Sequence, residues 1–225
     1  MSMTDFPPRG TRVVAIAGGM GHTVVVLSSG EVYGWGTARK GQLGERWKSS
    51  KIVWEPVKVE IDVEGFFATG VVCGREFTVV IGDKEKGEMV VLGGGDKWGI
   101  LAGVSAATAP RLRFRGLGAS WHGVYVHRGD GEVVAWGRND RGQLPPRGMG
   151  VVRRLAVGSE HVLALLGDGR TVLAFGWGEH GNCGPVTDAQ GNVNGECVAI
   201  PLPEGVQEVV GIGAGCATSW VITRG

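Results

Sequence analysis

No apolar run in the sequence approaches the roughly 18 residues that a membrane-spanning helix needs. Its opening stretch, MSMTDFPPRG, has neither the basic n-region nor the apolar h-region of a secretory leader. These absences set the expectation of a cytoplasmic protein, or a nuclear one, with no membrane partner. An imbalance of charge is missing too: 23 basic residues nearly cancel 22 acidic ones, so no global field draws the chain to nucleic acid. Cysteine is sparse, with four residues at 73, 183, 197 and 216 and no C-x-x-C pair. That excludes a disulfide scaffold and leaves reduced thiols. With 43% hydrophobic and 20% charged residues, the chain is of ordinary globular composition rather than disordered.

Glycine is the excess. Forty-two of 225 residues is more than twice the roughly 7% average, without the three-residue period of collagen. Many tight turns follow, and with them many short strands.

Self-comparison shows what the turns separate. Val13 to Gly44, VVAIAGGMGHTVVVLSSGEVYGWGTARKGQLG, has two halves. The first is glycine, two residues, histidine and an apolar run; the second is a turn, a short strand, Trp-Gly, four residues and Gly-Gln-Leu. The first half recurs from Gly74, Ala119, Gly158 and Gly215, making five copies. The second recurs as LGGGDKWGIL, AWGRNDRGQL and AFGWGEHGNCG, making four, with glycine pairs Gly36/Gly41, Gly94/Gly99, Gly137/Gly142 and Gly176/Gly181. Ser29-Gly30, Asp130-Gly131 and Asp168-Gly169 supply hairpin turns between the halves. Repeats of about 40 to 50 residues containing several short strands predict an all-β propeller rather than a helical solenoid.

The glycine-x-x-histidine strand and the WG-x4-GQLG turn resemble those of the regulator of chromosome condensation repeat family. The resemblance runs from Val13 to about Arg224 and is weakest in the second copy, where Phe77 replaces histidine, and in the fifth, where Thr218 does. FGWGEHGNCGP and GAGCATSWV resemble the fungal alpha-tubulin suppressor, or killer-toxin-insensitivity, branch of that family. A tail over 1–12 and one propeller domain over 13–225 are expected, with repeats starting near 13, 66, 112, 151 and 206. Five first halves against four second halves predict about four to five blades, in an incomplete or open ring relative to the seven blades the family implies. An unpaired blade edge would be prone to association.

The repeat absorbs most candidate chemistry. His22, His122 and His161 look like a metal set but share one repeat position, so each is expected to bond its own blade's backbone. Trp35 and Trp136, with Gly36, Gly94, Gly137 and Gly176, are read as blade structure. Cys183 takes the place of Leu43 and is expected to pack as a small apolar residue. His180 and Cys183 give two ligands where structural zinc asks for four, so no metal or cofactor is implied. The GIGAGC run at 211–216 lacks a following helix pattern, and GGGDKWG lacks the ending of a phosphate loop. The basic clusters RLRFRG (111–116) and VVRRLA (151–156) read as charged strand edges. No catalytic constellation stands out, so no enzyme is predicted.

Trp177, Glu179 and His180 replace the turn's usual residues and are expected to be exposed and partner-binding. Trp47 and Trp54 lie in ERWKSSKIVWEPVKVE, an insertion that maps to one rim. They either contact a partner there or fold back and bury their rings. Trp98 also lies off the repeat's aromatic position and joins the partner-binding set.

The resemblance implies a non-enzymatic interaction platform. Its branch implies a small zinc-binding diphthamide-biosynthesis protein as partner, with roles in diphthamide synthesis and Elongator-dependent wobble-uridine modification of tRNA. The family's founding member implies an alternative, guanine-nucleotide exchange on a small GTPase.

Overall fold

A computed structural model describes residues 5–108 and 113–225. The short apolar runs form strands and the glycine stretches turn the chain between them. Two units result, Met1–Arg113 and Phe114–Gly225.

In the first unit, β1 (Val13–Gly18), β2 (His22–Leu27), β3 (Val32–Thr37) and β4 (Ile52–Val59) pair in chain order as one antiparallel sheet. The second sheet is β5 (Gly70–Cys73), β6 (Phe77–Ile81) and β7 (Met89–Gly93), followed by helix α1 (Ile100–Thr108). In the second unit, β8 (Phe114–Ala119), β9 (Gly123–Arg128) and β10 (Val133–Gly137) form the third sheet. The fourth is β11 (Val152–Val157), β12 (His161–Leu166), β13 (Val172–Trp177) and β14 (Asn192–Ala199); the fifth is β15 (Glu208–Ala214) and β16 (Ser219–Arg224). The five first halves are thus five sheets, and the fifth consists of the two strands of a first half alone. The same bulge recurs where the first strand meets the second, at Val13/Ala15, Phe114/Gly116, Val152/Arg154 and Val209/Gly211.

Apolar second strands form the cores. Val24 and Val26 pack with Leu43 and Val80 in the first unit, and Val162, Leu163 and Leu165 pack with Phe175 and Cys183 in the second. Each hairpin turn places its glycine in the left-handed region, with φ of 81° at Gly30, 89° at Gly131 and 72° at Gly169. Asp168 accepts the backbone N–H groups of Arg170 and Thr171 and the Thr171 hydroxyl, which push its carboxyl down to about 2.

Several expectations change here. The insertion is not a rim loop: its second half is β4, the outer strand of the first sheet. A Pro in an outer edge strand, as at Pro56, costs no inward ladder bond. Trp47 folds back, half-buried against the first core, and donates its indole N–H to the Lys58 carbonyl at 3.1 Å, whereas Trp54 is 80% exposed. The segment before β1 packs rather than trails, with the Phe6 ring 5.4 Å from Tyr33 and 6.2 Å from Trp35. Arg153 and Arg154 do not merely coat an edge. They reach Glu208 and the Val210 carbonyl of β15 at 3.5 and 2.7 Å. Arg111, in the other basic cluster, lies outside the described residues.

The histidines do not bond their own sheet. His22 Nε2 lies 3.0 Å from the Thr78 hydroxyl of the second sheet, and Thr78 donates to the Gln42 carbonyl at 2.8 Å. His161 Nε2 lies 2.9 Å from the Ser219 hydroxyl of the fifth sheet, and Ser219 donates to the Asn182 carbonyl at 2.7 Å. A hydroxyl has one proton. Since that proton goes to the carbonyl, the imidazole must be the donor, so both rings carry hydrogen on Nε2. Burial pushes both histidines down to about 4, partly opposed by backbone contacts at Phe77 and Thr218.

Replacing Thr78 by Val, or Ser219 by Ala, strands a buried carbonyl and an imidazole N–H, so each is expected to lower stability by about 1–3 kcal/mol, read as a shift in urea midpoint. For the histidines, the folded value of about 4 lies below the ordinary 6.5. Unfolding therefore takes up protons between those values, and stability falls as pH drops through that window. Each histidine steepens the fall by up to about 1.4 kcal/mol per pH unit. A His161→Gln variant should show a flatter pH dependence of the urea midpoint; an unchanged slope would refute the assignment.

Candidate functional site

The site lies in the second unit, where the turns after β10 and β13 meet. Each turn begins with a glycine facing the first residue or two of its sheet's second strand. Gly36 pairs with His22, Gly137 with Gly123 and Gly176 with His161. Their φ values are 99°, 129° and 102°, and a Cβ at any of them would run into the carbonyl of Gly21, His122 or Glu160. Those same carbonyls accept the N–H of Thr37, Arg138 and Trp177 at 2.7, 2.8 and 2.9 Å. The Trp-Gly signature is thus a close backbone approach, and only glycine fits it.

This register moves two sequence assignments by one place. Phe77 pairs with Gly93, so Gly93 rather than Gly94 corresponds to Gly36. In the third sheet, Ser120 N–H bonds the Gly123 carbonyl as Gly19 bonds His22 and Gly158 bonds His161. Gly123 therefore holds the histidine position, and His122 stands where Gly21 and Glu160 do. The sequence hid the shift because His122 lies three residues after Ala119, at the spacing expected of the motif.

What fills the missing imidazole's space is Tyr125. A Cβ on Gly123 would lie 3.3 Å from its ring and hydroxyl, and that hydroxyl donates to the Gln143 carbonyl at 2.8 Å. Tyr125 is fully buried, which pushes its phenol up. The released His122 joins a buried carboxylate that sequence reasoning missed. Glu160, 6% exposed, lies 3.2 Å from His122 Nδ1, 3.3 Å from an Arg138 N–H and 2.8 Å from the Gln143 amide nitrogen. Burial alone would raise its pKa, but the bonds from His122 and Gln143 and the Arg138 charge outweigh it and hold the carboxyl below the usual range. Arg138 also grips Asp140 with two bonds of 2.6 and 2.8 Å, which hold the Asp140 carboxyl low.

The adjoining turn carries the predicted partner-binding residues. Trp177 is half-buried rather than exposed, while Glu179 and His180 are exposed. The Trp177 indole N–H donates to Glu179 at 3.0 Å, its ring meets His180 edge-on at 4.9 Å, and the Arg141 guanidinium lies over it at 5.2 Å. Asn182 is buried and donates to the Trp177 carbonyl at 2.7 Å. Cys183 is fully buried in the core, and burial pushes its thiol up to about 12. It is inert packing, as its alignment with Leu43 implies. Trp47, Trp54 and Trp98 belong to the other unit. The Trp98 ring lies under Lys97 at 4.8 Å. Among the described residues no group of three or more His, Cys, Asp or Glu is placed to hold a metal, and no helix is long and apolar enough to cross a membrane.

Glu160→Ala removes the acceptor of three donors and leaves Arg138 and Gln143 facing a gap. A loss of about 3–5 kcal/mol is expected from breaking such a buried pair, measured by urea unfolding; a loss below about 1 kcal/mol would show the cluster to be solvated.

Residues 13–42 and 29–81 match regulator of chromosome condensation (RCC1) repeats. An RCC1 repeat-containing protein of Schizosaccharomyces pombe is 33% identical over 215 residues, covering 93% of this chain and 57% of that protein. The secretion-regulating guanine nucleotide exchange factor of Bos taurus is 27% identical over 251 residues, covering 91% and 51%. The chain spans about half the length of these relatives. Among solved structures, human WBSCR16 superposes with a TM-score of 0.75 at 20% identity, covering 94% of this chain and 59% of that one. Yeast RCC1 (Prp20) bound to Kap60 gives 0.69 at 22% identity, covering 97% and 56%. At such identities they speak to the fold, an all-β propeller of the RCC1 type. Repeats, relatives and fold agree: the chain carries repeats of the regulator of chromosome condensation (RCC1) type.

Proposed function

We propose that this chain is a non-enzymatic interaction propeller whose contacts are made by the turns after β10 and β13. The observation that carries this reading is how the polar residues are spent. His22 and His161 donate to hydroxyls, those hydroxyls donate to carbonyls, and Glu160 is surrounded by donors. These buried groups, which could otherwise serve as bases, are fixed in structural bonds. The turns, by contrast, present an aromatic ring with charged neighbours, the composition of a protein-contact surface.

The relative named as a secretion-regulating guanine nucleotide exchange factor supports a small GTPase as partner and nucleotide exchange as the outcome of binding. The GWGEHGNCGP segment supports a second reading through its resemblance to the alpha-tubulin suppressor branch: the small zinc-binding diphthamide-biosynthesis protein as partner, in diphthamide synthesis and wobble-uridine modification of tRNA. The two readings share one surface and differ in what occupies it.

The tagged chain, used to capture partners from a fungal lysate beside a variant carrying Trp177→Ala, Glu179→Ala and His180→Ala, separates them. Recovery of a small GTPase by the parent and its loss with the folded variant is the expected result, with accelerated nucleotide release by the captured GTPase. Recovery of the zinc protein instead transfers the conclusion to the second reading. Equal recovery of all partners by parent and variant would refute the surface.

A further inference from the structure

Three turns of the repeat carry a basic side chain directly before their second glycine: Lys40, Arg141 and His180. The latter two belong to one unit and flank the same ring. The Arg141 guanidinium sits 5.2 Å from the Trp177 centroid, and the His180 ring stands at 76° to it, 4.9 Å away. Their approach is built into the backbone. Gly142, with φ 74°, lies so close to β14 that a Cβ there would strike the Val193 carbonyl. Trp177 itself is fixed by its indole bond to Glu179 and its backbone bond to the Glu160 carbonyl.

The acids around this row are already engaged. Asp140 is held by Arg138, Glu179 by Trp177, and Glu160 by His122, Arg138 and Gln143. Arg141 alone has no counter-ion: its guanidinium makes the ring contact, and no carboxylate of the described residues lies within ion-pair distance. A guanidinium held over an aromatic face has lost part of its rotamer freedom before any ligand arrives, and its N–H edge matches a carboxylate through two parallel bonds.

We propose that Arg141, held over Trp177 beside His180, anchors an acidic segment of a partner protein, taking one of its carboxylates as a two-bonded pair. This rests on the interaction-platform reading above and names the chemistry of the partner's surface. An acidic peptide fits better than nucleic acid. Asp140 and Glu179 border the row, and a phosphate backbone, charged at every nucleotide, would meet both of them. A peptide can space its carboxylates to avoid them.

Fluorescence anisotropy of the whole chain with a fluorescein-labelled poly-glutamate peptide tests this, beside a labelled single-stranded oligonucleotide. The peptide should bind and weaken with salt, and Arg141→Ala should weaken it about tenfold. Arg141→Lys should recover only part, since an ammonium keeps the charge over the ring but cannot make the two parallel bonds. A preserved urea midpoint confirms that each variant is folded; should Arg141→Ala lose it, Arg141→Gln keeps the stem and takes its place. Absence of peptide binding, equal binding by parent and Arg141→Ala, or tighter binding of the oligonucleotide would each overturn the anchor. The lysate capture keeps the two levels apart. A partner lost with the Trp177/Glu179/His180 variant but retained by Arg141→Ala leaves the platform standing without this anchor, and a partner retained by both removes platform and anchor together.

Discussion

A single hydroxyl proton sets the order of the repeat. In the Thr78 and Ser219 side chains it points at a turn carbonyl, of Gln42 or Asn182, which belongs to the preceding sheet. With that proton committed, the oxygen can only accept, and the histidine of the preceding sheet must donate. Burial keeps the imidazole neutral, the bond fixes its tautomer, and a turn far from its own strand in sequence is tied down. Glycine at the turn's first position is a consequence of the same closeness, because the turn has to lie against the residues that precede the histidine.

The third sheet shows what the arrangement requires by departing from it. One place of shift puts Gly123 where an imidazole would stand, and the structure compensates from two directions. Tyr125 brings a hydroxyl to the Gln143 carbonyl from within the sheet, and Glu160 accepts the Gln143 amide from the next one. The compensation also changes the surface. His122 and Arg138 are drawn to a buried carboxylate, and Arg141 is left over Trp177 without a counter-charge. A local repair of packing and a distinctive surface share one origin.

The repeat, the all-β class and the two-stranded fifth sheet were legible in the sequence because glycine spacing and apolar runs are local signals. The burial of Cys183 was legible for the same reason, from its alignment with Leu43. What escaped was everything decided across sheets. Glu160 looks like an ordinary charged residue beside a glycine-serine pair, and nothing near it in sequence announces the three donors that surround it. The histidine bonds ran to the neighbouring sheet because a strand residue paired in its own ladder still projects its side chain off the sheet plane. Trp47 and Trp54, seven residues apart, parted company because β4 alternates its faces while Trp47 precedes it in a turn. Helix α1 was missed because GILAGVSAA reads as well for one more apolar strand as for a helix.

The shared bond also leaves a mark along the chain. The hydroxyl sits one residue after the histidine position, Thr78 after Phe77 and Ser219 after Thr218, so that place in the second strand is directed to the sheet before it. His22 is answered by Thr78 and His161 by Ser219. After Gly123, which has no side chain to offer, the next repeat carries Val162 in the second place. Within each unit, a histidine in the first place meets a hydroxyl in the second place of the next repeat. A repeat that opens with histidine is therefore suited to a successor that brings a hydroxyl, and a valine there would leave the imidazole N–H without its acceptor.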